Sequence, residues 1–282
     1  MIERSNSFKG IDVSRWQGEI DWEQTAKEVD FVMIRAAYGQ NEDICFHKNI
    51  EGASKAGLAV GAYLYSLASA KEELMKEVEY FQHLLRPWKL TYPAAIDIED
   101  KRQENLNRME LTDLALTFAD SMRKGGWLPA LYGSVSWLEN RYDDRISQLD
   151  LWVAQWGSSL TFRGTAGIWQ YSAAGRAAGV PVSVDLNVSF RNYPSLIRTV
   201  GGRWQKDSRG WWYRFTDGSY PRAEWLRLDG QWYRFDEQGY AVKGFHVIDG
   251  HPYYFAETSK TEAGHMVREC QCIVTDKEGV VQ

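Results

Sequence analysis

Cysteine is scarce in this chain, three residues in 282, and the three are placed so that they build little. Cys45 stands alone, while Cys270 and Cys272 are too close along an extended strand to pair comfortably, so no structural disulfide is expected. A C-x-C without a matching His or Cys cluster is a weak metal signal, and buried or edge thiols are the simpler reading; no metal and no cofactor are expected. Long apolar runs are also missing, since none approaches the roughly 20 residues that span a bilayer. The start, MIERSNSFKG, lacks the apolar segment of a secretory signal. Positive charge is in short supply too. A net charge of -5 with no basic stripe argues against nucleic acid and against an anionic membrane as partners. What is present, 44% hydrophobic and 25% charged residues, suits a folded globular protein. At this length a large domain with a smaller companion is expected.

Up to about residue 200, strand-like segments recur with helical stretches between them. They read GIDVSR (10–15), FVMIRAAYG (31–39), LAVGAYLYS (58–66), YPAAIDIED (92–100), LPALYGS (128–134), LDLWVAQW (149–156), GIWQYS (167–172) and SVDLNVS (183–189). Residues 71–86 and 109–124 repeat Leu, Val and Phe at three- and four-residue steps, the pattern of amphipathic helices, with shorter candidates at 21–29, 47–56 and 135–142. The last three strands are linked by Gly-, Ser- and Ala-rich loops. Eight strands with alternating helices indicate a TIM-like α/β barrel over residues 1–200 rather than a doubly wound sheet, with an open sheet as the alternative.

Residues 201–282 have a different texture, a burst of aromatics in a 20-residue repeat: WWYRFTDGSY (211), QWYRFDEQGY (231), HPYYFAETSK (251) and QCIVTDKEGV (271). A column of Trp225, Phe245 and His265 aligns as well. Each repeat reads as a short hairpin, too small to stand alone, so a small all-β domain of stacked hairpins is expected.

The fourth strand candidate carries Asp97 and Glu99 around Ile98. Residues two apart on a strand share a face, so both acids project together while Ile98 packs behind. Barrel chemistry sits at the C-terminal strand ends, and there Asp12 and Asp185 join them from the first and last strands. Such carboxylates suit glycoside cleavage, which needs one protonated acid for the leaving oxygen and one anion for the developing cation. Crowding keeps one of them protonated near neutral pH. Glu99, with the longer reach, is the candidate acid. Surface salt bridges at a strand end are the competing explanation, and backbone capping is the one for Asp12.

The motifs GIDVSRWQG (10–18), AAIDIED (94–100), LWVAQW (151–156), GIWQYS (167–172) and VDLNV (184–188) together resemble glycoside hydrolase family 25, lysozymes that cut the muramic acid link of peptidoglycan. The resemblance covers nearly all of residues 8–192. It implies an irregular eight-stranded barrel with about five helices, Glu99 as general acid/base, Asp97 as its partner orienting the substrate's acetamido group, and Asp12 and Asp185 beneath the sugar. It also raises Tyr63, Tyr65 and Trp152 above plain core packing as sugar contacts, beside Tyr132, Gln155 and Arg35. His47 and His83 are expected to be structural or solvated.

The tail is similar to choline-binding-type cell-wall-binding repeats, in which aromatic boxes hold a quaternary ammonium. The matching positions are Trp212, Tyr213, Trp225, Trp232, Tyr233 and Tyr240, and the pattern decays at Phe245, Pro252, His265 and Cys272. The implied partners are peptidoglycan strands and either choline or another wall polymer, and the implied location is extracellular or at the cell wall. Two alternatives stand beside the muramidase. A chitinase-like hydrolase needs a longer acid run and finds Ala95 in the middle of it. A non-catalytic wall-binding protein has no use for four intact acids.

Overall fold

The computed structural model describes residues 7–199, 202–215, 218–228, 231–248 and 251–256. The chain divides into two compact units, Met1–Ile197 and Arg198–Gln282, and the division falls inside a helix.

Nine strands form the sheet of the first unit: β1 (Phe8–Val13), β2 (Phe31–Tyr38), β3 (Asn41–Glu42), β4 (Ala59–Tyr65), β5 (Ala94–Asp97), β6 (Pro129–Ser134), β7 (Asp150–Ala154), β8 (Ile168–Gly175) and β9 (Val184–Ser189). Their order is β1-β9-β8-β7-β6-β5-β4-β2-β3, and β1 also pairs with β2, so eight strands close a barrel with the two-residue β3 attached outside the ring. Every expected strand segment lies in that ring. The pairings from β1 through β2, β4, β5, β6 and β7 to β8 are parallel, but β9 runs antiparallel to both neighbours. An antiparallel return needs only a tight loop, which is why no crossover helix joins β8 to β9.

Among the described residues six α-helices accompany the strands: α1 (Trp22–Thr25), α2 (Phe46–Lys55), α3 (Lys71–Leu85), α4 (Arg108–Lys124), α5 (Val135–Asn140) and α6 (Tyr193–Thr199). In α3 the periodic Leu74, Val78, Phe81 and Leu85 are buried, and α4 starts at a capping box in which Asn107 and Glu110 satisfy each other's backbone amides. The expected helix over 21–29 is shorter than the pattern suggested. After Thr25 the chain turns, and Asp30 N–H is drawn to the Lys9 carbonyl at the start of the barrel.

Alternate strand residues feed two cores. Val32, Ile34, Val60, Ala62 and Ile96 face the helices, whereas Phe31, Met33, Ala95, Ala130, Trp152 and Ile168 fill the barrel interior. Gly10 of β1 faces this filling, where a Cβ would stand 2.3 Å from the Phe31 ring. One alternation step along each strand above the interior layer come Asp12, Arg35, Tyr65, Asp97 and Tyr132. The apolar plug is thus the floor of a polar mouth.

The described residues of the second unit contain three hairpins: β10 (Arg203–Lys206) with β11 (Trp211–Arg214), β12 (Trp225–Leu228) with β13 (Gln231–Arg234), and β14 (Gly244–Ile248) with β15 (His251–Phe255). Trp211, Gln231 and His251 begin the second strand of each, so the 20-residue period is preserved. Each hairpin joins the second half of one sequence repeat to the first half of the next. The fourth repeat, with Cys272, and the preceding His265 and Cys270 lie outside the described residues.

Candidate active site

Register places the acids. Tyr65 pairs with Asp97 and Asp97 with Tyr132, giving a row of inward side chains across β4, β5 and β6. Asp12 and Asp185 are direct partners across β1 and β9. Because β9 is reversed, Asp185 near its start reaches the same rim as residues near the ends of the parallel strands. Glu99 lies just past β5, and the alternation persists there: Ile98 is buried toward the helices, with its carbonyl accepting from the Tyr142 hydroxyl at 3.1 Å.

Burial is the main force on all four carboxyls. Asp97 is pushed well above the ordinary carboxylate range by burial and then by the charges of Glu99 and Asp12. Its Oδ1 is buried without a hydrogen-bond partner. Glu99 is raised by burial, and the Ser134 amide, donating to its Oε2 at 3.4 Å, works in the opposite direction. Asp12 is raised from 3.8 to about 8 by burial and by Asp185, to which it is hydrogen-bonded. Asp185 is raised by burial and lowered by that same bond, the signature of Asp12 donating a proton to it.

A network missed in the sequence holds Asp12. Gln170 and Asn187 donate to its Oδ2 at 2.9 and 2.8 Å. Gln170 Oε1 accepts from the Tyr132 hydroxyl at 3.2 Å and the Trp156 indole at 3.1 Å, and Asn187 Oδ1 accepts from the Trp152 indole at 2.8 Å. Asn187 lies two residues from Asp185, so the same-face rule that joined Asp97 to Glu99 would have found it.

Among the aromatics, Tyr63 and Tyr132 are half-buried and meet Trp152 edge-on at 5.7 and 4.8 Å. Tyr65 stacks on Tyr38 at 4.9 Å and donates to Asp100 at 3.4 Å. Trp152 is not a sugar platform. It is 1% exposed, because the stagger of the barrel lowers this position into the interior filling, where it supports Asn187. Gln155, just past the end of β7, has its amide engaged: it exchanges hydrogen bonds with Thr161 at 2.7 and 2.8 Å and ties a loop. Arg35 gives Nε and Nη2 to the buried Asp43 at 2.9 and 2.8 Å, and from there its charge lowers the proton affinity of Asp97 and Tyr63. Large exposed rings near the site include Trp16, Trp156 and Tyr38.

In the tail, Tyr213 and Tyr233 are buried in the hairpin core and do not offer open ring faces. Strand alternation turns their neighbours outward instead. Trp232 is 39% exposed and meets Trp225 edge-on at 6.5 Å, and Trp225 also contacts Tyr253 at 4.9 Å. Trp212 meets Tyr220 at 5.9 Å, while the ring of Tyr240 is covered by the Arg209 guanidinium at 4.8 Å and its hydroxyl donates to Asp207.

The model of Glycosyl hydrolases family 25 matches residues 11–180, and that of the choline-binding repeat matches residues 224–269. The chain is 28% identical over 203 residues to Lysozyme M1 of Streptomyces globisporus, covering 65% of this chain and 68% of that one. It is similar to the bacterial lysozyme of Streptomyces coelicolor, with 25% identity, a TM-score of 0.59, and coverage of 70% of this chain and 98% of that one. The fold also matches the modular autolysin LytC of Streptococcus pneumoniae, solved with a synthetic peptidoglycan ligand, at 24% identity and a TM-score of 0.60 over 66% of this chain; the match spans about half of that autolysin, 47%. With more than half of its length matched by the family model, the chain belongs to glycosyl hydrolase family 25, and it is a lysozyme-type glycoside hydrolase with a choline-binding repeat in its tail.

Proposed function

We propose that this chain hydrolyses the β-1,4 bond between N-acetylmuramic acid and N-acetylglucosamine in peptidoglycan, with Glu99 as general acid/base and Asp97 orienting the acetamido group. The observation that carries the assignment is the orphaned Asp97 Oδ1. A buried acceptor without a partner costs about 1–3 kcal/mol, and a substrate N–H that donates to it recovers this loss. The aligned acetamido oxygen attacks the anomeric carbon as the glycosidic C–O bond breaks, and Glu99 gives its proton to the departing oxygen. The negative charge left on the Glu99–Asp97 pair stabilises the cationic ring intermediate. Glu99 then takes a proton from water, whose oxygen attacks the same carbon and reopens that ring. Two displacements on one carbon retain the configuration.

Asp12 and Asp185 hold a proton between them below the sugar, supported by Gln170 and Asn187. The tail holds the enzyme on the bacterial wall through outward aromatics such as Trp225 and Trp232, which suit a quaternary ammonium such as choline. These roles imply action outside the cell or at the wall. The direct test is digestion of purified walls followed by reduction and mass spectrometry: new muramic reducing ends support the reading, and N-acetylglucosamine reducing ends alone reject it.

A further inference from the structure

The turn after β1 presents two exposed side chains that the proposed reaction does not use. Trp16 is 67% exposed, and the Arg15 guanidinium carbon lies 4.6 Å from its ring centre. Among the described residues the Arg15 guanidinium enters no ion pair. Leaving an indole and a guanidinium in water gains the fold little, yet the backbone beneath them is fixed from several directions. The Ser14 side chain accepts from Trp16 N–H, and the Gln17 side chain accepts from Ser14 N–H at 2.9 Å. The Arg15 amide donates at 3.0 Å to Asp43 Oδ2, the oxygen that also holds Arg35. Gln17 Nε2 donates at 3.4 Å to the carbonyl of Ser183, two residues before Asp185, and Asp12 lies three residues before Arg15. The turn is therefore a rigid mount beside the Asp12–Asp185 pair.

Charge gives it a purpose. Asp12, Asp97, Glu99, Asp100 and Asp185 gather around the mouth, and Arg35 is engaged by Asp43. A substrate that brings its own carboxylate meets repulsion there unless a cation receives it. A guanidinium held over an indole ring and out of any ion pair keeps donors free for a planar, two-pronged acceptor.

We propose that Arg15, positioned over the ring of Trp16, is a carboxylate-recognition subsite at the barrel rim and makes the enzyme selective for acidic glycan. The inference rests on the muramidase reading, in which the ring beside the scissile bond is an acidic sugar. Two sources supply the same chemistry: the lactyl carboxylate of a peptide-free muramic residue, or the carboxylates of a stem peptide.

The test uses the full chain and three soluble glycan strands of equal length: peptide-free with free lactyl carboxylates, the same strand with those groups as neutral methyl amides, and a stem-bearing strand. Wild type is expected to bind a carboxylate-bearing strand better than the amide, by about fivefold in KM at low salt, with the gap narrowing as salt rises. Whichever acidic strand shows the gap identifies the source. Arg15→Ala and Arg15→Gln should close the gap with little change in kcat, Arg15→Lys should keep part of it, and Trp16→Ala should reduce it. The proposal is overturned if Arg15→Ala raises KM equally on acidic and amidated strands, or leaves every KM unchanged. A wild-type enzyme that cleaves none of the strands rejects the muramidase reading and this subsite with it; one that cleaves all three without discrimination rejects the subsite alone.

Discussion

Asp12 and Asp185 stand opposite each other across the β1–β9 pair, and the protonated carboxyl of Asp12 donates to Asp185. The folded protein keeps this proton up to about pH 8, whereas an unfolded aspartate releases it near 3.8. Between those values the folded state binds more protons than the unfolded one, so this group's contribution to stability falls as pH rises from about 4 to 8. Asn at position 12 would keep a carbonyl for Gln170 and Asn187 and an N–H for Asp185 without titrating. The thermal midpoint of Asp12→Asn relative to wild type is therefore expected to climb steadily over that pH range. An offset that does not change with pH would show that Asp12 is not the titrating group.

Glu99→Gln preserves shape and removes the transferable proton. Its kcat on muramyl glycan should fall by about a hundred- to ten-thousandfold, with the thermal midpoint close to wild type. Near-wild-type turnover would exclude Glu99 as the acid.

Substrate assistance fixes the stereochemistry. Proton NMR of the first product formed should show the β-anomer before mutarotation, and Asp97→Asn should slow the reaction by about a hundredfold or more, because the carboxyl that accepts from and polarises the acetamido N–H is replaced by a weaker acceptor. An α-anomer as first product would mean direct attack by water.

The eight barrel strands were legible because each carries a concentrated apolar or β-branched run, and the two-residue alternation at Asp97, Ile98 and Glu99 continued past the strand end. Strand direction was not legible, since a period of two reads the same both ways; only the pairing shows that Asp185 reaches the mouth from the start of a reversed strand. Helix α6 leaves no periodic signal because YPSLIRT is short and has Pro194 in its first turn. Gln170 and Asn187 sat inside recognised motifs, but amides draw less attention than acids. Whether Trp152 faces sugar or floor depends on the stagger around the ring, a property of all eight strands together. In the tail, the choice between Trp232 and Tyr233 as the outward residue depends likewise on the partner strand, Leu226 being opposite Tyr233.

The position of Trp152 makes its own prediction. Trp152→Phe leaves a gap in the interior filling and strips Asn187 Oδ1 of its donor, so it should destabilise the first unit by about 1–3 kcal/mol and lower kcat through Asp12. A sugar platform would behave differently, with a raised KM and an unchanged thermal midpoint.

The tail separates two kinds of aromatic residue that share one motif. Deleting residues 201–282 should weaken binding to intact walls more than it slows turnover of short soluble glycans, since a wall anchor acts through effective concentration and adds nothing to the chemistry. Within the tail, Trp232→Ala removes an outward ring and should weaken wall binding with little change in folding. Tyr233→Ala opens the packed core that Tyr233 shares with Tyr213, Phe215 and Phe235 and should broaden or abolish the tail's unfolding transition. Equal wall binding by the truncated and full chains in a pull-down would remove the anchoring role. Equal behaviour of Trp232→Ala and Tyr233→Ala in calorimetry would mean that the two rings do not divide between surface and core.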